Sequence, residues 1–483
     1  SCHWTCFSGK RLSSVRWAVL VQRALAARVV TINRSRDKMA DLAPFPAVRF
    51  DPAKVPVAQV VTQPYDKISP QMQERYYAQD PHNLVRIILG KAEPGDSEGE
   101  NVYTRAAAYF RDWRACGVLR QDPRPAFYLY TQRFRLPAST NSSGGAQRQG
   151  ALERSGLIAA GRIHDYAEGV VFRHEQTLSK PKADRLNLLR ATRAHFGQIF
   201  MLYTDPANQV NSLLKSCAGS RAPDLAVEDE YQVMHSIWSI CDPETIAESR
   251  CLMADKQLII ADGHHRYETA LAYRDERRAA AGAGASPGAP SERVMMTLVN
   301  MDSEGLVILP THRVVFGLPG FAAARFLKDA ETFFQLEKIE LSATAGERLL
   351  QAGKTGIALL AVTQGSAHLL RPRPDAGDHL PSGMSPAQRS LDVVYLHQLL
   401  LARALGISEE AIRNQLHISY HRDFDEAIAR VRGGGADLAL LMNPVRVAQL
   451  SDIAFHGGVL PQKSTDFYPK LLSGLTIYSL EDA

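Results

Sequence analysis

The chain has few cysteines, and none of them has the spacing of a metal site or of a disulfide framework. Its 483 residues include six cysteines, of which Cys2 and Cys6 lie in a basic N-terminal stretch and the others lie far apart. This pattern argues against a secreted disulfide scaffold and against a cysteine-ligated metal domain. We therefore expect reduced, mostly buried cysteines and a cytoplasmic protein.

The sequence also has no long uninterrupted apolar run. A membrane-spanning helix needs about 18 apolar residues in a row, and Arg16, Arg23 and Arg28 interrupt the best candidate. We therefore expect no membrane span. The hydrophobic fraction of 45% and the charged fraction of 22% are typical of globular proteins. The length is sufficient for two or three domains.

Surplus positive charge is missing outside the N-terminus. Residues 1–38 contain eight Lys and Arg against one acid, which leaves 48 basic and 50 acidic residues in the body, a net charge of −2. A general nucleic-acid binder needs excess Lys and Arg to displace counterions from phosphates, so we expect no nucleic-acid partner. The leader has the composition of a transit peptide or an amphipathic surface helix. Because a typical domain start follows Met39, we expect residues 1–38 to be an upstream extension.

Three loop-like segments, rich in polar residues, Gly or Pro, divide the body: 139–150, 279–290 and 371–389. Helix and strand patterns are mixed between them, which predicts an α/β fold with a mixed sheet; one continuous parallel sheet does not follow from the pattern. We expect four parts. They are a leader at 1–38, an N-terminal α/β segment at 39–138, a phosphate- or nucleotide-binding core at 151–316 and a C-terminal α/β segment at 317–483.

The periodicity of apolar residues predicts individual elements within these parts. The predicted helices lie at 102–113, 183–195, 208–216 and 267–278. The predicted strands lie at 126–134, 157–163, 199–204, 232–237, 257–261, 294–301, 306–310 and 475–480.

The strongest chemical signal is a strand, a turn and a helix start at residues 258–268. A short apolar strand leads into five consecutive residues with chemical potential: Asp262, Gly263, His264, His265 and Arg266. Glycine permits a tight turn, and the first N–H groups of the following helix attract anions. The two histidines and the arginine add donors that suit phosphate, and the aspartate could hold Mg²⁺ or accept a proton. A buried helix cap is the alternative, but so many ionisable groups in one turn cost stability, which favours a ligand site.

A dense charged run at 173–185 precedes a predicted helix at 186–195. Its basic residues Lys180, Lys182 and Arg185 could clamp a polyphosphate. Glu175, next to His174, would then be a reasonable base. The alternative is a solvated loop, since most charged runs are merely exposed.

A second anion cradle is predicted near the C-terminus. It consists of Lys463, Ser464 and Thr465 beside the Gly457-Gly458 turn, with Lys470 close behind, and it lacks the glycine spacing of a P-loop. The strings 311–313 (Thr-His-Arg) and 421–423 (His-Arg-Asp) are weaker signals, more typical of a strand end or a helix cap.

The turn at 262–266 resembles the helix-opening motif of the ParB/sulfiredoxin superfamily, in which a Gly-x-x-Arg turn binds nucleotide phosphates. It is similar to the Asp-Gly-His turns of the free-serine kinases of that superfamily. His264 stands where sulfiredoxin has its reactive cysteine, which argues against sulfur-reductase chemistry. From about residue 44 to 480 the chain resembles the family called domain of unknown function 1015, found in bacteria and archaea. Four further groups of strings carry this resemblance: 63–66, 82–86, 173–175 with 180–189, and 461–465 with 467–470.

Residues and resemblance together predict a nucleotide-dependent phosphotransferase that acts on a small hydroxylated metabolite, with free serine as the best guess. The expected cofactor is ATP or ADP, or else CTP, with Mg²⁺ on Asp262. Catalytic roles fall to Asp262, His264, Glu175 and His174. The phosphate ligands are Gly263, His265, Arg266, Lys180, Lys182, Arg185, Lys463, Ser464 and Thr465.

Two other functions remain open at this point. A phosphatase could use His264 or His174 as a phosphohistidine nucleophile. A nucleotide-binding switch without catalysis, comparable to ParB, is the second alternative. In each case the expected partner is a small phosphate ligand or nucleotide.

Overall fold

A computed structural model describes residues 40–137, 150–175, 179–284, 286–342 and 344–481. The leader at 1–38 and nearly all of the predicted loop at 139–150 lie outside these ranges. The chain adopts a mixed α/β fold, so the predicted fold class is confirmed.

The strands, in chain order, are β1 (Leu42–Ala43), β2 (Val48–Phe50), β3 (Leu119–Gln121), β4 (Phe127–Phe134), β5 (Leu152–Arg162), β6 (Val171–Phe172), β7 (Ala194–His195), β8 (Ile199–Tyr203), β9 (Leu225–Glu228), β10 (Met234–Ile240), β11 (Leu258–Asp262), β12 (Arg293–Asn300), β13 (Val307–Leu309), β14 (His312–Val315), β15 (Phe334–Ile339), β16 (Leu359–Val362), β17 (Ala367–Pro372), β18 (Ile418–His421), β19 (Leu438–Met442), β20 (Asp466–Tyr468) and β21 (Tyr478–Ser479).

The α-helices are α1 (Val57–Val60), α2 (Pro70–Gln79), α3 (Val85–Ile88), α4 (Val102–Ala115), α5 (Ser179–Thr192), α6 (Gln209–Ala218), α7 (Pro243–Met253), α8 (His264–Ala281), α9 (Ala323–Ala330), α10 (Ala345–Thr355), α11 (Asp392–Tyr395), α12 (Glu409–Arg413), α13 (Phe424–Arg432) and α14 (Val447–Phe455). Short 3-10 turns lie between them, and a π-helix at Leu396–Ala404 continues α11.

The larger sheet has nine strands in the order β6-β11-β8-β12-β5-β4-β10-β9, with β1 also paired to β5. Only the β6–β11 and β8–β12 pairs are parallel, which makes the sheet mixed. The central strands are buried along almost their whole length; all five residues of β8 are inaccessible to solvent. Apolar residues on both faces of such strands are expected where helices cover the sheet on two sides.

The second sheet has six antiparallel strands in the order β15-β17-β16-β19-β14-β18. Its middle strand β19 is fully buried. Leu360, Val362 and Leu441 pack on one face with residues of α10 and α13.

The chain returns to the large sheet after α14. Leu460 donates its N–H to the carbonyl oxygen of His174 at 2.8 Å. Further along, β20 pairs with β13 and β21 pairs with β7. Residues 460–479, which we call the return segment, therefore lie beside elements that are more than 100 residues earlier in the sequence.

Several predicted elements differ from the structure because of this return. The predicted helix at 183–195 ends at Thr192, since Ala194–His195 forms hydrogen bonds with β21 instead. The predicted strand at 475–480 is reduced to Tyr478–Ser479.

The predicted loop at 279–290 begins late, because α8 continues through the alanines to Ala281, as the high helix propensity of alanine favours.

The prediction of mostly buried cysteines was wrong. Cys116 and Cys251 are exposed, and Cys217 and Cys241 are partly buried. Cys251 lies on the outer side of α7 and Cys116 directly follows α4, where periodicity gives no core position. Among the described residues, every helix is too short or too polar to cross a lipid bilayer.

Candidate active site

The predicted strand-turn-helix at 258–268 is present. Strand β11 consists of buried residues up to Ala261, and its pairing with β8 shifts register between Ile260 and Asp262. Such a bulge redirects the side chain that follows it. Gly263 then adopts φ +93°, a left-handed conformation that favours glycine, and α8 begins at the next residue.

The helix start is open to an anion. No side chain caps the N-terminus of α8, so the first-turn N–H groups keep the positive end of the helix dipole available. A Cβ atom at Gly263 would lie 3.0–3.1 Å from the guanidinium group of Arg266. Glycine is therefore required here both by backbone conformation and by space.

A cavity of about 460 Å³ lies at this helix start, and we call it the polar pocket. Its lining joins four segments that are distant in the sequence: Tyr65 and Asp66, Glu175, the turn at 262–266, and Lys463. Seven residues predicted from the sequence line it: Glu175, Asp262, Gly263, His264, His265, Arg266 and Lys463.

Asp262 is a permanently charged carboxylate in this pocket. Burial raises its pKa, but the positive charges of Lys470, Arg266 and Lys67 outweigh burial and hold that pKa well below the usual range. The Arg266 guanidinium lies 3.4 Å from the carboxylate. A carboxylate with so low a pKa stays ionised and accepts protons poorly.

Glu175 has the opposite character. Burial raises the pKa of its carboxyl group, and the positive charge of Lys463 offsets this only in part. The backbone N–H of Lys463 lies 3.4 Å from the Glu175 carboxylate, and Glu175 forms a parallel β-bridge with Leu460. Lys463 has φ +55°, uncommon for a residue with a side chain and typical of functional sites. The return segment therefore positions the carboxylate.

His174 is neutral, and its surroundings fix its tautomer. Burial lowers its pKa to about 4. Its Nδ1 lies 2.7 Å from the carbonyl oxygen of Ile260, which can only accept, so Nδ1 carries the proton. Its Nε2 must then accept from the Thr465 hydroxyl at 2.9 Å. These two residues stand behind the pocket and connect β11 to the return segment.

His264 is also neutral, and its ring stacks edge-on against that of His174 with centroids 4.8 Å apart. Burial, and then the nearby His174, lowers the pKa of His264 well below its normal value. Its Nε2 and the Nδ1 of His265 have no hydrogen-bond partner among the described residues. Other buried polar atoms of the described residues share this feature, among them Tyr166 Oη and Ser249 Oγ, so it does not by itself mark a ligand site.

Arg266 is held by the backbone at the edge of the pocket. Its Nη1 donates to the carbonyl oxygen of Gln198, and its guanidinium packs against Gly197 as well as against Gly263. Only 14% of the side chain is exposed. This arginine therefore has a structural as well as an electrostatic part in the site.

Other predicted phosphate ligands lie outside the polar pocket. Lys182 forms an ion pair with Glu268. Arg185 pairs with Asp184 and donates to the carbonyl oxygen of Ile88 at 2.6 Å. Ser464 is buried and donates to the carbonyl oxygen of Pro461. Lys180 lies in the first turn of α5, and its side chain is outside the described part of the chain.

Sequence reasoning missed Tyr65 and Asp66, which line the pocket, and Lys67, whose charge acts on it; Lys470, predicted close behind the second anion cradle, also acts on it through its charge. The Nζ of Lys470 lies 3.0 Å from the Asp466 carboxylate. Burial lowers the pKa of Lys470, but the negative charges of Asp466 and Asp262 raise it by more, so the lysine stays charged. The strings at 63–66 and 467–470 supported the family resemblance, and that was the available signal.

The two weaker strings support the return segment. Arg313 is fully buried and donates to the carbonyl oxygens of Gln462 and Lys463 at 3.2 and 3.1 Å. Arg422 forms an ion pair with Asp466 at 2.5 Å. Arg313 in β14 therefore fixes the backbone at Lys463, and Arg422, directly after β18, holds the side chain of Asp466.

Within the described residues, no group of three or more His, Cys, Asp or Glu side chains is arranged to hold a metal ion. Metals that bind mainly through protein side chains, such as structural zinc, need three or four such ligands. Mg²⁺ differs, because one or two carboxylates with phosphate oxygens and water are enough.

Three solved structures show low similarity to the chain. A conserved hypothetical protein from Pyrococcus furiosus is 13% identical, covers 65% of this chain and 93% of its own, and gives a TM-score of 0.32. A free serine kinase in complex with AMP is 13% identical, with 62% and 83% covered and a TM-score of 0.31. SbnI with a C-terminal truncation, from Staphylococcus aureus, is 8% identical, with 67% and 89% covered and a TM-score of 0.30. With TM-scores below 0.5, these similarities support no functional inference.

The family comparison is more informative about identity. No curated protein matches the chain in sequence. The family described as "Protein of unknown function (DUF1015)" matches residues 42–394. This range contains Tyr65, Asp66, Glu175 and the turn at 262–266, and it ends before Lys463. Because the match covers well over half of the sequence and nearly all of the pocket lining, the chain belongs to the DUF1015 family.

Proposed function

We propose that the protein is a nucleotide-dependent phosphotransferase that acts on a small hydroxylated metabolite. The observation that carries this proposal is the polar pocket itself. An uncapped helix start with cationic neighbours and a carboxylate of raised pKa, Glu175, line the same cavity. Phosphoryl transfer needs charge stabilisation and positioning, with one group to take the acceptor's proton.

The phosphate groups would bind at the Gly263 turn. The free N–H groups of α8 and its helix dipole attract anions. The positive charges of Arg266 and Lys463 line the same cavity, and the Nδ1 of His265 lacks a partner among the described residues. His264 and His265 line the cavity too, and burial lowers the pKa of each, so they add hydrogen-bonding groups without adding charge.

Glu175 would be the general base, and this choice follows from comparison with Asp262. An effective base has a pKa close to the working pH. Burial raises the pKa of Glu175, whereas neighbouring cations keep the pKa of Asp262 far too low for proton abstraction. We therefore propose that Glu175 accepts the proton of the acceptor hydroxyl.

Asp262 would then be the magnesium ligand. It is a permanent carboxylate that borders the cavity, and Mg²⁺ is commonly bound through one or two carboxylates plus phosphate oxygens. When bound, Mg²⁺ would neutralise charge on the transferred phosphoryl group. Asp66, on the opposite segment, is the second carboxylate available.

The acceptor must be small, because phosphates and acceptor share one pocket that nine residues line. Free serine is the first acceptor to test, given the similarity of the Asp-Gly-His turn to those of free-serine kinases. A thermal-shift screen with ATP, ADP, CTP and pyrophosphate, each with Mg²⁺, tests the nucleotide part. A ligand at 100 times its Kd stabilises the folded state by about 2.7 kcal/mol. No rise in melting temperature with any of them at millimolar concentration contradicts the proposal.

The reaction is tested by mass spectrometry with nucleotide and serine as substrates. We expect a product 80 mass units heavier than the acceptor, as phosphorylation requires, together with the matching dephosphorylated nucleotide. Other small hydroxylated metabolites are screened in the same way. Nucleotide binding without product formation from any acceptor would favour a switch over an enzyme.

A phosphatase is the second candidate, because neutral His264 lines the polar pocket at the start of α8. A neutral imidazole nitrogen can act as a nucleophile toward phosphorus. The protein would then release inorganic phosphate from small phosphate esters and form an acid-labile phosphohistidine. Absence of this adduct after rapid quenching under alkaline conditions excludes the phosphatase.

A further inference from the structure

We infer that an apolar cavity beside the polar pocket binds the planar base of the nucleotide. This inference rests on the proposed function. It gives a binding site to the base of the nucleotide, because the Gly263 turn accounts only for the phosphates. The cavity is partly open to solvent and is lined mainly by apolar groups. Its apolar side chains include Tyr65, Ile88, Leu188, Leu189 and Phe196.

The two cavities are neighbours with shared walls. Tyr65 and Arg266 line both of them. A single ligand can therefore place an anionic group at the helix start and an uncharged group on the far side of Arg266. A nucleotide has this division, since its phosphates are anionic and its base is planar and uncharged.

The walls of the apolar cavity are preformed. Ile88, Leu188, Leu189 and Phe196 are each less than 10% exposed, and the Phe196 ring packs edge-on against Phe110 with centroids 5.1 Å apart. These residues come from α3, α5 and the turn before β8. Packed side chains of this kind lose little entropy when a ligand binds.

One edge of the cavity carries a stacked pair of flat groups. The Arg185 guanidinium lies 4.1 Å from the centroid of the Tyr65 ring. Its hydrogen bond to the Ile88 carbonyl oxygen fixes its orientation. Aromatic rings and guanidinium planes are surfaces on which bases stack. Arg185 thus contributes to the base side of the ligand and not to the phosphate side.

The rim offers a few polar groups that could read the edge of a base. Thr269, Ser473 and the backbone at Gly197 line the cavity. His195 also lines it, and burial lowers the pKa of this histidine to about 4, so the ring is neutral. A largely apolar pocket with few polar groups and no unpaired charge suits a neutral heterocycle.

The test compares ADP with pyrophosphate, which has the phosphates but no base. Isothermal titration calorimetry is carried out with Mg²⁺ on the full-length protein and on two variants. Leu189→Trp fills the apolar cavity. Leu341→Trp is the control, because it makes the same change at a half-buried leucine beside the six-stranded sheet. We expect wild type to bind ADP at least tenfold more tightly than pyrophosphate. Leu189→Trp should lose at least tenfold in ADP affinity and keep its pyrophosphate affinity within threefold, and Leu341→Trp should change neither.

The outcomes separate this inference from the proposed function. If wild type binds neither ligand, the proposed function fails. If wild type binds both with equal affinity, the phosphate site stands and the base site is overturned, and this comparison needs no variant. Leu189→Trp with unchanged ADP affinity, or with equal losses for both ligands, likewise overturns the base site.

Discussion

Replacing Gly263 by alanine tests the link between backbone conformation and phosphate binding. Alanine at φ +93° must adopt a left-handed conformation, which costs about 1–2 kcal/mol. Its Cβ would also lie 3.0–3.1 Å from the Arg266 guanidinium, which must move. That displacement weakens a charged hydrogen bond to the Gln198 carbonyl, and such bonds contribute about 1.5–3 kcal/mol.

A matched control is available at Gly320. This glycine also has a positive φ, +69°, but nothing lies within 4 Å of its Cβ position. Gly320→Ala should therefore show the conformational cost alone, of about 1–2 kcal/mol. Gly263→Ala should lose about 2.5–5 kcal/mol in total, since the displaced hydrogen bond adds to this cost.

The assay measures stability and binding on the same two variants. Urea midpoints report stability, and calorimetry with pyrophosphate and Mg²⁺ reports binding. We expect Gly263→Ala to lose about 10- to 150-fold in pyrophosphate affinity, equivalent to one charge-assisted contact, while Gly320→Ala binds as wild type does. Equal shifts of the two midpoints with unchanged pyrophosphate affinity would refute the reasoning.

Three further predictions concern the surroundings of the turn. Glu175→Gln should lower turnover by at least about 100-fold and should keep its affinity for pyrophosphate within threefold of wild type. A comparable loss of pyrophosphate affinity would contradict the role of Glu175 as the base. Because burial lowers the pKa of His174 from 6.5 to about 4, the unfolded chain binds more protons in that window. Wild type should lose about 3 kcal/mol from this group as the pH falls from about 6.5 to about 4; an equal fall of the urea midpoint with pH in wild type and in His174→Gln would contradict it. Arg313→Met removes the buried guanidinium that donates to the carbonyl oxygens of Gln462 and Lys463 and should cost at least about 2 kcal/mol; its melting temperature should fall well below that of the exposed control Arg371→Met.

Local sequence was sufficient to predict the turn. The apolar residues of β11, the glycine and the helix start lie within eleven consecutive positions, and each acts through its immediate neighbours. The large-sheet strands β4, β8 and β12 were predicted within one or two residues of their bounds for the same reason. The periodicity of apolar residues and the position of the glycine predict such local features directly.

The assembly of the pocket was not available from local pattern. The string 463–465 was predicted as a second anion cradle, yet only Lys463 lines the polar pocket, while Ser464 caps its own loop and Thr465 supports His174. Likewise Arg185, predicted as a phosphate ligand, lies on the apolar side. Charge and spacing reveal which groups can bind phosphate but not the direction in which each side chain points.

The amino-acid sequence by itself determined the mixed α/β class, the strand-turn-helix and the set of chemically capable residues, because these depend on interactions over a few positions. The tertiary structure alone decided which of them meet. It brought Asp66 and Lys463 to the turn, and it lowered the pKa of Asp262 and raised that of Glu175 through different neighbouring charges. A pKa depends on the field of all nearby groups, and the return segment supplies part of that field from about 200 residues beyond Asp262 in the chain.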